Sequence, residues 1–98
     1  MKVVFLESYR ISPNLGGVQR ATVTLAKEFI QNGIEVFYLA LSKGISETIL
    51  GVKQYYLPEG NDLSSEKNNL FFKNFITENK VNIIINQQGF SLSVLYFI

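Results

Sequence analysis

At 98 residues, 47% of them hydrophobic and 17% charged, the chain has the balance of one small globular domain and is too apolar for a disordered segment. A formal net charge of +1 excludes the basic footprint of a nucleic-acid binder, so no nucleic-acid partner is expected. Cysteine and histidine are both absent, which removes disulfides, thiolate nucleophiles, imidazole bases and the commonest zinc ligands, so any catalytic base is a carboxylate or an amine or lies outside this chain.

The chain opens on Val3-Val4-Phe5-Leu6, a continuous apolar run without alternation. Both faces of such a strand are buried, as in the centre of a parallel sheet. The run is too short for the core of a signal peptide, and no stretch of the chain reaches the eighteen or so apolar residues of a membrane span, so the cytoplasm is the default compartment. A polar loop from Glu7 to Asn14 follows, with Pro13 inside it, and then Leu15-Gly16-Gly17.

From Val18 to Asn32 the pattern is helical: Val18, Ala21, Leu25, Ala26, Phe29 and Ile30 fall on one apolar face. Asn32-Gly33 is a helix stop, because glycine adopts the left-handed conformation at little cost. A second strand runs from Glu35 to Leu41, so strand, helix and strand form a right-handed βαβ unit with parallel strands. Ser42 to Gly51 holds either a short turn of helix around Glu47 or an irregular excursion.

Lys53 to Leu57 is a third strand, stopped by Pro58. Asp62 or Ser64 caps a second helix to about Asn79, burying Phe71, Phe72, Phe75 and Ile76. Val81 to Asn86 is a fourth strand, left through the polar loop Asn86-Gln87-Gln88-Gly89. The apolar segment Ser91 to Ile98 reads as a truncated element, with a final strand or helix docked on the core as the alternative; truncation leaves an open edge or apolar patch near Val94 to Ile98 that favours self-association. The fold class is α/β: a Rossmann-like open parallel sheet in the order 3-2-1-4 with helices on both faces.

Ligands of such sheets bind beyond the carboxyl ends of the strands, where the strand order reverses. Here that is the crevice between the first and fourth strands. Gly16 and Gly17 let backbone approach a ligand closely, and the unpaired N–H groups of the first helical turn suit a phosphate; a tight turn with nothing bound is the alternative. The spacing matches neither a dinucleotide fingerprint nor a P-loop. Gln19 sits inside the apolar arc of its helix and needs partners, from a hydroxylated ligand or from a neighbouring loop. Arg20 reads first as a solvated side chain. Asn86, Gln87 and Gln88 offer donors and acceptors together, suited to sugar hydroxyls or to loop capping. Tyr9, Tyr55 and Tyr56 read as packing residues.

The run Ser12-Pro13-Asn14-Leu15-Gly16-Gly17-Val18-Gln19-Arg20, with Leu25-Ala26-Lys27-Glu28-Phe29 and Gly33-Ile34-Glu35-Val36, resembles the opening of family 4 glycosyltransferases, which are retaining GT-B enzymes. Ile34 stands where that family usually has histidine. The resemblance is clear over residues 1 to 41 and weaker to Gln87. It implies that residues 1–98 are an incomplete N-terminal, acceptor-side Rossmann-like domain, with the C-terminal donor-binding domain absent.

The parent would transfer sugar from a nucleotide-diphosphate sugar to a saccharide or lipid-linked acceptor, without metal or other cofactor, and peripheral association with a membrane is compatible with that role. Gly16 and Gly17 would reach the donor diphosphate. Gln19, Arg20, Asn86 and Gln87 would face acceptor or sugar. No catalytic residue is assigned, and the chain alone is expected to transfer nothing. The competing reading is a non-enzymatic, doubly wound regulatory or partner-binding module.

Overall fold

The computed structural model describes residues 1–12 and 17–87, with Gly17 and Val18 by backbone only. In chain order the elements are β1 (Lys2–Glu7), α1 (Gly17–Gln31), β2 (Glu35–Ala40), β3 (Glu47–Ile49), β4 (Val52–Tyr56), α2 (Glu66–Glu78) and β5 (Ile83–Asn86). They build an α/β fold around a five-stranded, mostly parallel sheet.

β1 lies inside the sheet, between β2 and β5, because its side chains are apolar on both faces. Val4 and Leu6 point to one core, Val3 and Phe5 to the other, and all four are buried. Burial of that kind contributes roughly 1.5–3 kcal/mol per large side chain. β2 pairs parallel to β1 from Lys2↔Glu35 to Glu7↔Ala40, and β5 pairs on its other side from Val3↔Ile83 to Leu6↔Asn86. Both ladders run on past the strands, through Leu41 N–H to Glu7 O at 2.8 Å and Gln87 N–H to Leu6 O at 3.0 Å. The exits of β1, β2 and β5 are thereby held side by side.

The strand order is β3-β4-β2-β1-β5: β4, β2, β1 and β5 follow one another as the expected 3-2-1-4, and the correction is a fifth, antiparallel strand at the edge, β3. The segment read as a helical turn or an irregular excursion contains β3, antiparallel to β4 at the sheet edge. The hairpin turns at Leu50 (φ 50°) and Gly51 (φ 82°), both left-handed, as a two-residue turn of this hand requires. Leucine at the first of these positions lacks the usual Asn or Asp signal, and a three-residue strand shows no alternation to detect. β2 and β4 are therefore made parallel through an edge hairpin, with no crossover helix between them.

α1 packs on one face of the sheet and α2 on the other. The face of α1 differs from the one its hydrophobicity suggests: Ala21, Leu25 and Ile30 are exposed, while Thr22 and Ala26 are buried and Val23 and Phe29 half-buried. The helix is rotated because Thr22, although polar, has a hydrogen-bond partner inside, Glu7 at 2.8 Å. Ala26 is small enough to let the helix sit close to the sheet, and Phe29 stacks on Phe5 at 6.0 Å. The helix stops as expected at Gly33 (φ 79°), with Ile34 N–H bonded to Phe29 O at 3.0 Å and Gly33 N–H to Ile30 O at 3.0 Å.

α2 begins at Glu66, later than expected, capped by the Ser65 hydroxyl, which accepts from Asn68 N–H at 3.3 Å. Asp62 closes a turn upstream by accepting from the N–H and hydroxyl of Ser64. Phe72 and Phe75 are its buried phenylalanines, with Phe71 and Ile76 half-buried beside them. The closing segment 91–98, Gln88, Gly89 and Gly16 lie outside the described residues. Among the described residues, no helix is long and apolar enough to cross a membrane.

Candidate functional site at the carboxyl edge of the sheet

Three loops meet at the carboxyl ends of β1, β2 and β4. The loop after β1 is pinned from two directions. On one side Gln19, in the first turns of α1, accepts from Ser12 N–H at 2.8 Å and donates to Arg10 O at 3.2 Å. Its amide thus has partners in the neighbouring loop, the second of the two readings its sequence position allowed. On the other side Arg10 grips Glu47 of β3 through Nε at 2.9 Å and Nη2 at 3.1 Å, and Tyr56 donates its hydroxyl to the same carboxylate at 2.7 Å.

The Arg10 guanidinium, with Tyr56 second, holds the Glu47 carboxyl below its ordinary value. Burial, then the hydrogen bond to Glu47 and the charge of that carboxylate, push Tyr56 up to about 12. Deeper in, Gln54 is fully buried, accepting from Ile11 N–H at 3.2 Å and donating to Tyr55 O at 2.8 Å.

α1 opens at Gly17, so its N-terminal N–H groups stand at this edge of the sheet, although Gly16 lies outside the described residues. The first N–H groups of an α-helix lack intrahelical partners and carry the positive end of its dipole. Arg20 is exposed one step into the helix. Asn86 is exposed at the end of β5, opposite Leu6. Gln87, the next residue, donates its Nε2 to the Thr22 hydroxyl at 3.3 Å. The exits of β1 and β5 and the second turn of α1 are therefore joined, across 65 positions of sequence between Thr22 and Gln87. Gln19 and Arg20 turn to the loop and to solvent, respectively.

A cavity of about 470 Å³ opens over the exits of β1, β2 and β4, rather than between β1 and β5 where the sequence placed the crevice, and no described residue of α1 or β5 lines it. Ser8, Tyr9, Ser42, Lys43, Glu59 and Asn61 give it its polar character. Tyr9 is 72% exposed, so it is not the packing residue its sequence suggested; Tyr55 is half-buried against Phe75 and Tyr56 is buried. The far wall, residues 59–63, is held by Asn68, which is fully buried in α2. Asn68 Oδ1 accepts from Glu59 N–H at 2.8 Å, and Nδ2 donates to Gly60 O at 3.1 Å and Asp62 O at 2.7 Å. All the polar capacity of this amide but one lone pair is used inside the protein, which fixes the wall in place. The signal for these lining residues was present in the sequence as polar residues immediately after three apolar strands.

Glu7 is the other residue that sequence reasoning left without a role. It ends β1, is only 4% exposed, and accepts the Thr22 hydroxyl at 2.8 Å. Burial raises its carboxyl above the ordinary value, partly offset by the Thr22 hydrogen bond. Tyr38, facing it from β2, is pushed up to about 12 by burial and by the Glu7 charge. Among the described residues no group of three or more His, Cys, Asp or Glu side chains is placed to hold a metal ion.

Chemically, the edge offers backbone donors at a helix start, an amide and hydroxyls able to both donate and accept, an exposed aromatic ring and one lysine. No family model, no curated protein and no solved structure matches the chain.

Proposed function

We propose that this chain is the acceptor-side, Rossmann-like N-terminal part of a retaining GT-B glycosyltransferase of family 4, whose parent transfers sugar from a nucleotide-diphosphate sugar to a saccharide or lipid-linked acceptor. The observation that carries this reading is the position of α1. It starts at Gly17 at the carboxyl edge of the parallel sheet, the same edge on which a cavity lined by hydroxyl, amide and aromatic side chains opens over the exits of β1, β2 and β4. Helix-start N–H groups suit a diphosphate, and a polar cavity with an exposed tyrosine suits a hydroxylated acceptor. Gly16 and Gly17 take the donor side in this reading. Asn86 and Gln87 take the acceptor or sugar side. Gln19 acts at one remove, by shaping the loop it brackets, and Arg20 is available at the rim.

In the intact enzyme a second domain supplies most donor contacts, and the reacting atoms align only when the two walls close. The test is Gly17→Val in that parent. A β-branched side chain at the first position of α1 blocks the approach of phosphate. Losing one charge-assisted contact costs roughly 1.5–3 kcal/mol, one to two orders of magnitude in rate. Unchanged transfer with unchanged stability reduces the loop to a turn and returns the chain to the reading of a non-enzymatic binding module.

A further inference from the structure

Glu7, Thr22 and Gln87 come from three elements, β1, α1 and the exit of β5, and form one hydrogen-bonded line. The Thr22 hydroxyl donates to Glu7 Oε1 at 2.8 Å and accepts from Gln87 Nε2 at 3.3 Å. An ionised carboxylate can only accept, so the proton between them belongs to Thr22 and is directed at Glu7. The threonine oxygen then faces Gln87 as an acceptor, which only the NH2 end of the amide satisfies. The orientation of that amide follows: Nε2 is held toward Thr22, and Oε1, with no partner among the described residues, is the end left for a ligand.

We propose that Glu7, acting through Thr22, fixes the hydrogen-bond polarity of the Gln87 amide, so that the exit of β5 presents a carbonyl oxygen and selects a ligand that brings a hydroxyl donor to it. Glu7 is a positioning residue here, since the ligand meets Gln87. The identity of the ligand as a sugar rests on the reading given above; the polarity of the amide does not.

Protonation reverses the line. A neutral Glu7 carboxyl becomes a donor, the Thr22 proton is released from it, and Gln87 loses the reason for its orientation. The groups around Glu7 leave this titration to Glu7 alone. β2 contributes Tyr38, neutral up to about 12. α1 contributes Thr22 and β5 leads into Gln87, neither of which titrates. Arg10, in the loop that follows, is committed to Glu47. Burial keeps the Glu7 midpoint above that of a free glutamate.

The test is a pH titration of the whole 98-residue chain by NMR, following the Glu7 carboxyl carbon and the side-chain NH2 of Gln87 with no ligand present. The Gln87 signals are expected to move with the Glu7 midpoint. In Thr22→Val, Glu7 still titrates and Gln87 stops following it, whereas Thr22→Ser keeps the coupling. Should Thr22→Val not fold, Glu7→Gln serves in its place, and the Gln87 amide then loses its pH midpoint. A Gln87 amide that stays still through the Glu7 titration, or that follows it without the Thr22 hydroxyl, overturns the proposal. Because no sugar is involved, this failure is separate from that of the transferase reading.

Discussion

On the α2 face of the sheet, Phe75 meets Tyr55 at 4.9 Å, Phe37 at 5.6 Å and Phe71 at 6.3 Å between ring centroids, and the core around them is aliphatic and aromatic. On the α1 face the same sheet carries Glu7 and Gln54, and the helix above adds Thr22, all buried and all hydrogen-bonded. One face is held by area and shape, the other by area plus directional bonds. Apolar packing stabilises without specifying where a loop goes. A buried polar group must find its partner, and on the α1 face the partners are the loops of the carboxyl edge. On the α2 face a buried polar residue, Asn68, does the same for the cavity wall at residues 59–63, so on both faces it is the buried polar groups that place the loops of the edge.

The largest expected effect comes from breaking the apolar face. Phe75→Ala removes the ring at the centre of that contact group and lowers unfolding stability by roughly 3–5 kcal/mol in a urea titration, while the amides of the carboxyl edge keep their chemical shifts. A loss below about 1 kcal/mol would show that α2 is not what holds that side. Next comes Gln54→Leu on the α1 face. It leaves Ile11 N–H buried without an acceptor and costs about 1–3 kcal/mol. Its signature is local: hydrogen exchange at Ile11 accelerates more than at α2, because the amide's partner is the loop. Equal acceleration on both faces would erase the distinction drawn here.

Glu7→Gln is expected to act in the opposite direction. The folded chain raises the Glu7 pKa, so it binds the proton more tightly than the unfolded chain does. Stability from this group is therefore full below the unfolded value and is lost as pH rises through the folded one. At neutral pH the variant is relieved of a buried charge and is the more stable protein, and the gain vanishes as the pH falls below the ordinary glutamate value. A gain that persists unchanged into acid would assign the effect to something other than the carboxylate. Paired melting curves of the two proteins across that range decide it.

Strands with continuous apolar runs were legible from the sequence because burial on both faces leaves that pattern, and α2 was legible because Phe72 and Phe75 recur at helical spacing. β3 was not, since Leu50-Gly51 makes a left-handed turn without the residue that normally announces one. The inward face of α1 was misplaced for a related reason. Thr22 is polar, and its burial depends on a partner fifteen positions away in the chain, Glu7. Glu7 itself gave no signal, because one acidic residue at a strand end is ordinary until the fold encloses it. Tyr9 differs again: its exposure is set by the loop course, which the Arg10–Glu47 and Gln19 brackets determine.

The central claim is that the carboxyl edge of the sheet, whose loops are placed by buried polar groups, is where this chain meets a phosphorylated or hydroxylated ligand. Backbone amide shift mapping of the 98-residue chain against UDP-, GDP- and ADP-sugars tests it most directly. Binding is expected to be weak, because a single exposed anion site is screened by water and salt. The shifts are expected at Gly17, Ser8, Tyr9, Lys43 and Gln87, growing at millimolar ligand, with the amides of α2 beyond Asn68 unmoved. Shifts gathered instead at the other end of α1, around Val23, Ile30 and Val52, or micromolar binding by the isolated chain, would contradict the account.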